Sequence, residues 1–170
     1  MSTYTFKHEY IEETKTVIID CATQADIDSF EYPEGVEDVS IYGDHIDSVV
    51  IPDGVKYVTL CRMGLKRVTL PDSVLFFYCN NNLLKNIELP KDVEIVELKR
   101  NLLESVTFRG GSPARIGILK LSDNLRLRKL DFDPPDTLEV LKLKRCYGLE
   151  YMHPKIKALN PVIWPIGRGT

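Results

Sequence analysis

Three copies of one 19-residue pattern follow each other in the sequence: PDGVKYVTLCRMGLKRVTL (52–70), PDSVLFFYCNNNLLKNIEL (71–89) and PKDVEIVELKRNLLESVTF (90–108). A proline opens each copy, and apolar side chains return at fixed offsets behind it. These are Val55, Val74 and Val93, then Val58, Phe77 and Val96, then Leu60, Cys79 and Leu98, and finally Leu65, Leu84 and Leu103. A fixed period of this length predicts a solenoid, in which each repeat is one coil stacked on its neighbours.

The same pattern continues in both directions from the three central copies. The further copies are PEGVEDVSIYGDHIDSVVI (33–51), ARIGILKLSDNLRLRKLDF (114–132) and PPDTLEVLKLKRCYGLEYM (134–152), with a degenerate copy around Ile19 and a half-copy, HPKIKAL (153–159). Equivalent inward-facing residues of successive coils are then Ile19, Val39, Val58, Phe77, Val96, Leu119, Leu141 and Leu159. We therefore expect one domain over residues 1–170, with about seven to eight coils over residues 16–160.

Residues outside the regular copies are predicted to close and interrupt the coil. Residues 3–11 alternate between aromatic or His and polar side chains, which predicts a strand, and residues 12–15 predict a turn. We interpret residues 1–15 as an N-terminal β cap that covers the bare edge of the first coil. The stretch RGGSPAR (109–115) predicts a loop because of its glycines and proline, and residues 161–170 are interpreted as a C-terminal cap.

The string V-x-x-V-x-L-x-x-N-x-L at residues 93–103 resembles the leucine-rich repeat pattern, L-x-x-L-x-L-x-x-N/C-x-L. The short units with a Leu-Pro step are similar to the repeats of bacterial effector leucine-rich repeat proteins. The strings IPDGV and LPDSV are also similar to repeats of amoebal and large-virus proteins. The resemblance implies a β-rich solenoid of the α/β type, a right-handed coil with one parallel sheet. Nineteen residues leave no room for a full helix in each coil, so we expect few helices.

Asparagine returns at the point where each coil turns inward, at Asn82, Asn101 and Asn124. Its amide can satisfy backbone groups of its own coil and of the next one, and losing such a buried bond costs about 1–3 kcal/mol. The other copies place different side chains at this position, which are Gln24, Asp44, Met63 and Cys146. We therefore expect an incomplete asparagine ladder.

Composition and charge indicate where the protein acts and what kind of partner it can attract. No apolar run is long enough for a membrane helix, and residues 1–10 show no signal-peptide pattern. The four cysteines lack metal-ligand spacing and are expected to be core or free thiols, which favours a reducing, cytoplasmic location, or the host cytosol for an effector. Residues 1–54 carry 13 Asp/Glu and 2 Lys/Arg, whereas residues 55–170 carry 12 and 20. This charge gradient can steer a charged partner toward one part of the surface. Alternatively, the charges are only solvated surface groups that steer no partner.

The candidate binding site lies on the exposed face of the predicted sheet, which is expected to be concave. An apolar stripe, Tyr57, Phe76, Ile95, Ile118 and Val140, is predicted beside a basic cluster, Lys99, Arg100, Lys120, Lys142, Lys144 and Arg145. The predicted partner-binding residues are Tyr57, Phe76, Tyr78, Ile95, Lys99, Arg100, Lys120, Lys142 and Lys144. Aromatic anchors with a charged rim are typical of protein interfaces. The alternative is that the stripe residues only cover one another along the sheet.

These patterns favour a non-catalytic scaffold that binds a protein partner with an acidic surface, and a monomer is favoured over an oligomer. His8, His45 and His153 lie far apart along the coil, and no phosphate-binding glycine motif occurs, so we expect no enzyme, cofactor or metal site. Two alternatives stay open. One is self-association through the oppositely charged ends, and the other is nucleic-acid binding at the basic end, although the isoelectric point near 5.7 argues against the latter.

Overall fold

The structure, a computed structural model, describes residues 7–21 and 23–161. Its strands in this part of the chain are β1 (Lys7–Ile11), β2 (Thr16–Cys21), β3 (Asp38–Gly43), β4 (Ser48–Val50), β5 (Tyr57–Leu60), β6 (Arg67–Thr69), β7 (Phe76–Tyr78), β8 (Asn86–Leu89), β9 (Ile95–Glu97), β10 (Ser105–Phe108), β11 (Ile118–Lys120), β12 (Lys129–Leu130), β13 (Val140–Lys142) and β14 (Tyr151–Met152). The described helices are α1 (Gln24–Asp28) and α2 (Pro154–Ala158), each one turn long. The expectation of few helices is confirmed.

One strand from each coil enters an eight-stranded sheet with the order β1-β2-β3-β5-β7-β9-β11-β13, which we call the main sheet. Every neighbouring pair from β2 onward is parallel, and only β1 joins its neighbour antiparallel. The predicted solenoid is therefore confirmed, with about seven turns. Because adjacent strands lie about 4.8 Å apart, successive coils advance by that distance along the axis.

The structure corrects the expectation of a single parallel sheet. Two further parallel sheets, β4-β6 and β8-β10-β12-β14, form a second wall opposite the main sheet, with a gap between β6 and β8. The second wall forms because inward and outward side chains alternate at the end of the repeat, as they do in Ile87-Glu88-Leu89. Alternation over three or four residues is enough for a short strand. Each coil from β3 onward therefore consists of two strands joined by turns, whereas the first coil has the helix α1 in place of a second strand.

Inward-facing side chains from both walls form one continuous core. The equivalent residues Val58, Phe77, Val96 and Leu119 are fully buried and pair in adjacent strands, as the repeat pattern predicts. Leu98, two residues after Val96, is also fully buried. The stacking of these positions along the axis confirms the predicted register of the central coils.

The first coil has a different register from the one predicted. Val17 of β2 lies opposite Val39, and Ile19 lies opposite Ile41, so Val17 rather than Ile19 is the residue equivalent to Val39. A shift of two residues keeps the same side chains on the inner face, and the alternating pattern of TVIIDC therefore fits both registers. The observed register places two branched aliphatic side chains of β2 in the core.

The asparagine ladder forms as predicted, and its members are almost completely buried. The Asn82 side chain accepts hydrogen bonds from the backbone N–H groups of Met63 (2.9 Å) and Leu65 (3.1 Å) in the preceding coil, and its amide donates to the Leu60 carbonyl (2.6 Å). One and two coils later, Asn101 and Asn124 each accept one backbone N–H, from Leu84 and Leu103, and donate to one carbonyl of the preceding coil, at Cys79 and Leu98. Each amide thus connects its own coil to the one before it.

The two ends of the coil agree only partly with the predictions. The predicted N-terminal strand is observed as β1, which pairs with β2 after a turn at residues 12–15, and residues 1–6 lie outside the described residues. The 109–115 stretch is a loop, as predicted.

At the C-terminal end, the half-copy at 153–159 is not a further coil. It forms α2, in which Ile156 is buried, and Leu159 follows the helix as its C-cap and is half-exposed. Nearly all of the proposed C-terminal cap, residues 162–170, lies outside the described residues.

Candidate protein-binding face

The register of the main sheet places the outward-facing residues in columns that run along the solenoid axis, on the surface that we call the main-sheet face. The apolar stripe is the first column, and its members Tyr57, Phe76, Ile95, Ile118 and Val140 lie directly beside one another in sequence order. The second column is Thr59, Tyr78, Glu97, Lys120 and Lys142. Lys99 and Lys144 lie just beyond the second column, and Arg100 occupies the following turn. The nine predicted site residues therefore lie on one continuous surface.

Tyr57 and Phe76 form the aromatic end of the stripe. Their rings are stacked with centroids 4.6 Å apart and planes only 3° from parallel. Tyr57 keeps 45% of its surface exposed, whereas Phe76, Ile95 and Ile118 are half-buried. Part of the stripe is thus covered by its own neighbours, as the alternative interpretation expects, and its most accessible aromatic surface is at Tyr57.

Glu97 lies between two lysines of the predicted basic cluster and neutralises much of their charge. Its carboxylate is 2.6 Å from Nζ of Lys120 and 2.9 Å from Nζ of Lys99. Burial alone would raise the pKa of Glu97, but the hydrogen bonds from Lys120 and Lys99 outweigh it and lower the pKa below its usual value. Glu97 is therefore ionised at neutral pH, and the centre of the cluster is less positive than its lysine count suggests.

Asp123 has the corresponding role at the edge of the main-sheet face. It forms an ion pair with Arg145 and lies 4.0 Å from Nε of Arg100. The Asp123 hydrogen bond raises the pKa of Arg145 above its usual value. Two guanidinium groups share one carboxylate here, so a net positive charge remains at this edge.

Lys142 and Lys144 are the two predicted site residues whose charge is fully available. Both are exposed, and in the described part of the chain neither forms an ion pair. They lie on and just after β13, the last strand of the main sheet. Four strand steps separate β13 from Tyr57, which gives about 19 Å between the aromatic end and the charged end of the surface.

The acidic first third of the sequence, residues 1–54, is placed at the opposite end of the same sheet. Asp20 is exposed on β2, and Asp38 on β3 is partly buried, which raises its pKa above the usual value. Glu37, next to β3, binds Lys15 and Lys56 at 2.7 Å each, and these hydrogen bonds lower its pKa to about 2. The charge gradient along the sequence is therefore a gradient along the solenoid.

Sequence reasoning missed an apolar row at the edge of the main-sheet face, which we call the edge ridge. Its members are the residues that directly follow the ladder position in successive coils: Leu83, Leu102, Leu125 and Tyr147. Leu83 is 41% exposed, Leu125 58% and Tyr147 43%, and Leu102 is half-buried. The signal was present in the sequence, because an apolar side chain recurs at an offset where the repeat pattern requires none.

Two cysteines of the central and last coils are packed as core residues. Cys79 and Cys146 are buried free thiols. Burial raises the pKa of both thiols, that of Cys146 to about 11, so that they remain neutral at physiological pH. The Cys146 thiol donates to the Leu121 carbonyl at 3.2 Å, in the position where the preceding coils use asparagine. The side chain of Cys21 lies outside the described residues.

Comparison with known proteins returned no match among family models, curated proteins or solved structures. The likeness to short leucine-rich repeats therefore rests on the repeat pattern and on the coil that this pattern forms. Neither of the helices in residues 7–21 and 23–161 has the length and apolar character needed to cross a membrane.

Proposed function

We propose that the protein is a non-catalytic scaffold that binds another protein on its main-sheet face. The observation that carries this proposal is the stacked Tyr57–Phe76 pair, whose Tyr57 is 45% exposed, on the same surface as Lys142 and Lys144, which form no ion pair with the described residues. A few residues supply most of the binding energy at a protein interface, and tyrosine is enriched among them, while charges at the rim increase the rate of encounter. The partner accordingly presents an apolar pocket or side chain at one end and an acidic patch about 19 Å away.

The repeat class is part of the proposal. We assign the coils to the very short leucine-rich repeats, since V-x-x-V-x-L-x-x-N-x-L is present and its asparagine makes the bonds described above. A host-directed effector role is the extension of that assignment, because similar repeats occur in bacterial effectors. Free thiols at Cys61, Cys79 and Cys146 support a reducing compartment as the place of action.

The experiment is affinity capture from cell lysate followed by kinetic measurement with the captured partner. Phe76→Ala should mainly raise the dissociation rate, because it removes an anchoring ring. Truncating an interface hot spot costs about 2 kcal/mol or more, which is roughly a 30-fold loss of affinity. The matched control is Val50→Ala, an apolar side chain that is 66% exposed on the second wall and should have no effect.

The charged end is tested with Lys142→Glu combined with Lys144→Glu. Lys120 is unsuitable because a glutamate there would face Glu97 and disturb the fold. The double change should mainly lower the association rate, and the loss should shrink as salt is raised. Arg67 and Lys85, exposed residues of the second wall region, provide the charge-matched control. Partner loss on changing the controls, with binding kept when Phe76 and Lys142 are altered, would refute the main-sheet face as the binding site.

A further inference from the structure

The side chains of the edge ridge point outward because the backbone makes the same turn in each of the four coils. The residue before each ladder position is left-handed, with φ of 59° at Asn81, 54° at Arg100, 68° at Asp123 and 62° at Arg145. This turn sends the ladder side chain inward and the next side chain outward. Isolated exposed leucines are ordinary, but one apolar side chain at the same position of four successive coils makes a continuous row.

Neighbouring members of the ridge are held close together by backbone contacts. The Leu102 N–H donates to the Leu84 carbonyl at 3.0 Å, which places Leu102 beside the Leu83–Leu84 pair of the preceding coil. Further along, Gly148 packs so tightly that an added Cβ would lie 2.8 Å from the Leu125 carbonyl oxygen. Tyr147 is therefore fixed against the Leu125 segment.

Leu125 and Tyr147 line a shallow depression whose other walls are charged. These walls are Arg100, Asp123 and Arg145, so two guanidinium groups flank one carboxylate. The side chains of Arg100 and Arg145 are 65% and 47% exposed, whereas Asp123 is only 20% exposed. A ligand approaching this depression therefore meets apolar surface and positive charge together.

We propose that the edge ridge is a second docking surface, which binds an acidic segment of a partner protein. An apolar side chain of that segment lies against Leu125 and Tyr147, and neighbouring carboxylates meet Arg100 and Arg145. Charge complementarity selects this occupant, because the excess of arginine over aspartate attracts anions and the leucine row requires apolar contact. A nucleic acid fits less well, since its phosphates would meet the Asp123 carboxylate without using the leucines.

The test uses the purified full chain and a random-peptide display library. Selected peptides should combine Asp or Glu with Leu, Phe or Tyr, and synthetic copies should bind in solution. The double variant Leu125→Ser with Tyr147→Ser should weaken their binding by about tenfold or more. The matched control is Tyr151→Ser with Leu159→Ser, a tyrosine and a leucine that are similarly exposed but lie outside the ridge. Phe76→Ala should leave peptide binding unchanged, which separates this surface from the main-sheet face.

Three outcomes would overturn the proposal. One is selection of basic peptides, or of none. Another is equal affinity of the selected peptides for wild type and for the Leu125/Tyr147 variant. The third is a concentration-dependent dimer in sedimentation that is lost in the same variant, because the occupant would then be a second copy of this chain. Circular dichroism and the thermal midpoint of each variant establish that a loss of binding is not a loss of fold.

Discussion

Replacing Asn82 by alanine is the sharpest test of how the coils are held together. The substitution removes the acceptor of the Met63 and Leu65 N–H groups and the donor to the Leu60 carbonyl, at a site that is 4% exposed. Three backbone groups would then lack partners, and each buried unsatisfied group costs about 1–3 kcal/mol. If one water enters and satisfies part of this demand, the expected loss of unfolding free energy is about 3–5 kcal/mol.

The assay is equilibrium unfolding in urea, with the midpoint and the slope compared between variants. A shifted midpoint with an unchanged slope shows a loss of stability without a change in the surface exposed on unfolding. Asn86→Ala is the matched control, because Asn86 is exposed and bonds only to the Ser105 hydroxyl among the contacts described, at 2.8 Å. Its expected cost is below about 1 kcal/mol.

A second substitution at the same position separates the two directions of hydrogen bonding. Cys146 occupies this position in the last coil and donates to the Leu121 carbonyl, which is the equivalent of Leu60. Asn82→Cys should therefore keep one of the lost bonds and cost less than Asn82→Ala. A cost for Asn82→Ala no larger than that of Asn86→Ala would refute the ladder as a source of stability.

The remaining stability predictions concern three other features of the coil. Leu98→Ala removes a fully buried side chain and should cost about 2–5 kcal/mol in the same assay, and a cost under about 1 kcal/mol would contradict its inward position. Because the pKa of Glu37 is lowered to about 2, its ion pairs stabilise the fold above the usual pKa of 4.5, and this contribution is lost as pH falls toward 2. Glu37→Gln should thus flatten the pH dependence of stability between those values, and an unchanged slope would contradict it. Arg62→Asn should raise the thermal midpoint, because Asn tolerates the left-handed φ of 62° better than Arg by up to about 1 kcal/mol, whereas Lys85→Asn should not.

The repeat pattern predicted the central coils correctly because inward positions are few and every copy repeats them. Val58, Phe77, Val96 and Leu119 pair as their offsets require. The ladder was predictable for the same reason, since a polar amide between two buried apolar positions needs buried partners.

The first and last coils were harder because they have a neighbour on one side only. In β2, Val17 and Ile19 both point inward, so hydrophobic alternation alone could not select between two registers. At the other end, Leu159 is an apolar residue at nearly the spacing expected for the inward-facing position of a further coil. Pro154 at the start of α2 and a His153 N-cap instead favour a helical turn there.

The charge balance of the site could not be obtained from the sequence. A count of basic residues predicted a strongly positive cluster, but Glu97 and Asp123 lie among those residues and pair with four of them. Only the register of adjacent strands shows that Glu97 is next to Lys120, which is 23 residues away along the chain. The positive charge that is not compensated by a carboxylate is therefore at Lys142 and Lys144.

Residues 19 apart in the central repeats become neighbours across a parallel sheet, and this register builds both the core and the main-sheet face. The most direct measurement is a nuclear Overhauser experiment on the Phe77 ring protons. The register places Val58 on one side of Phe77 and Val96 on the other, and a strand spacing of about 4.8 Å brings both sets of methyl groups within detection. We expect cross-peaks from Phe77 to Val58 and to Val96 in the same molecule. Absence of either cross-peak, with contacts from Phe77 to residues of another register, would contradict this register.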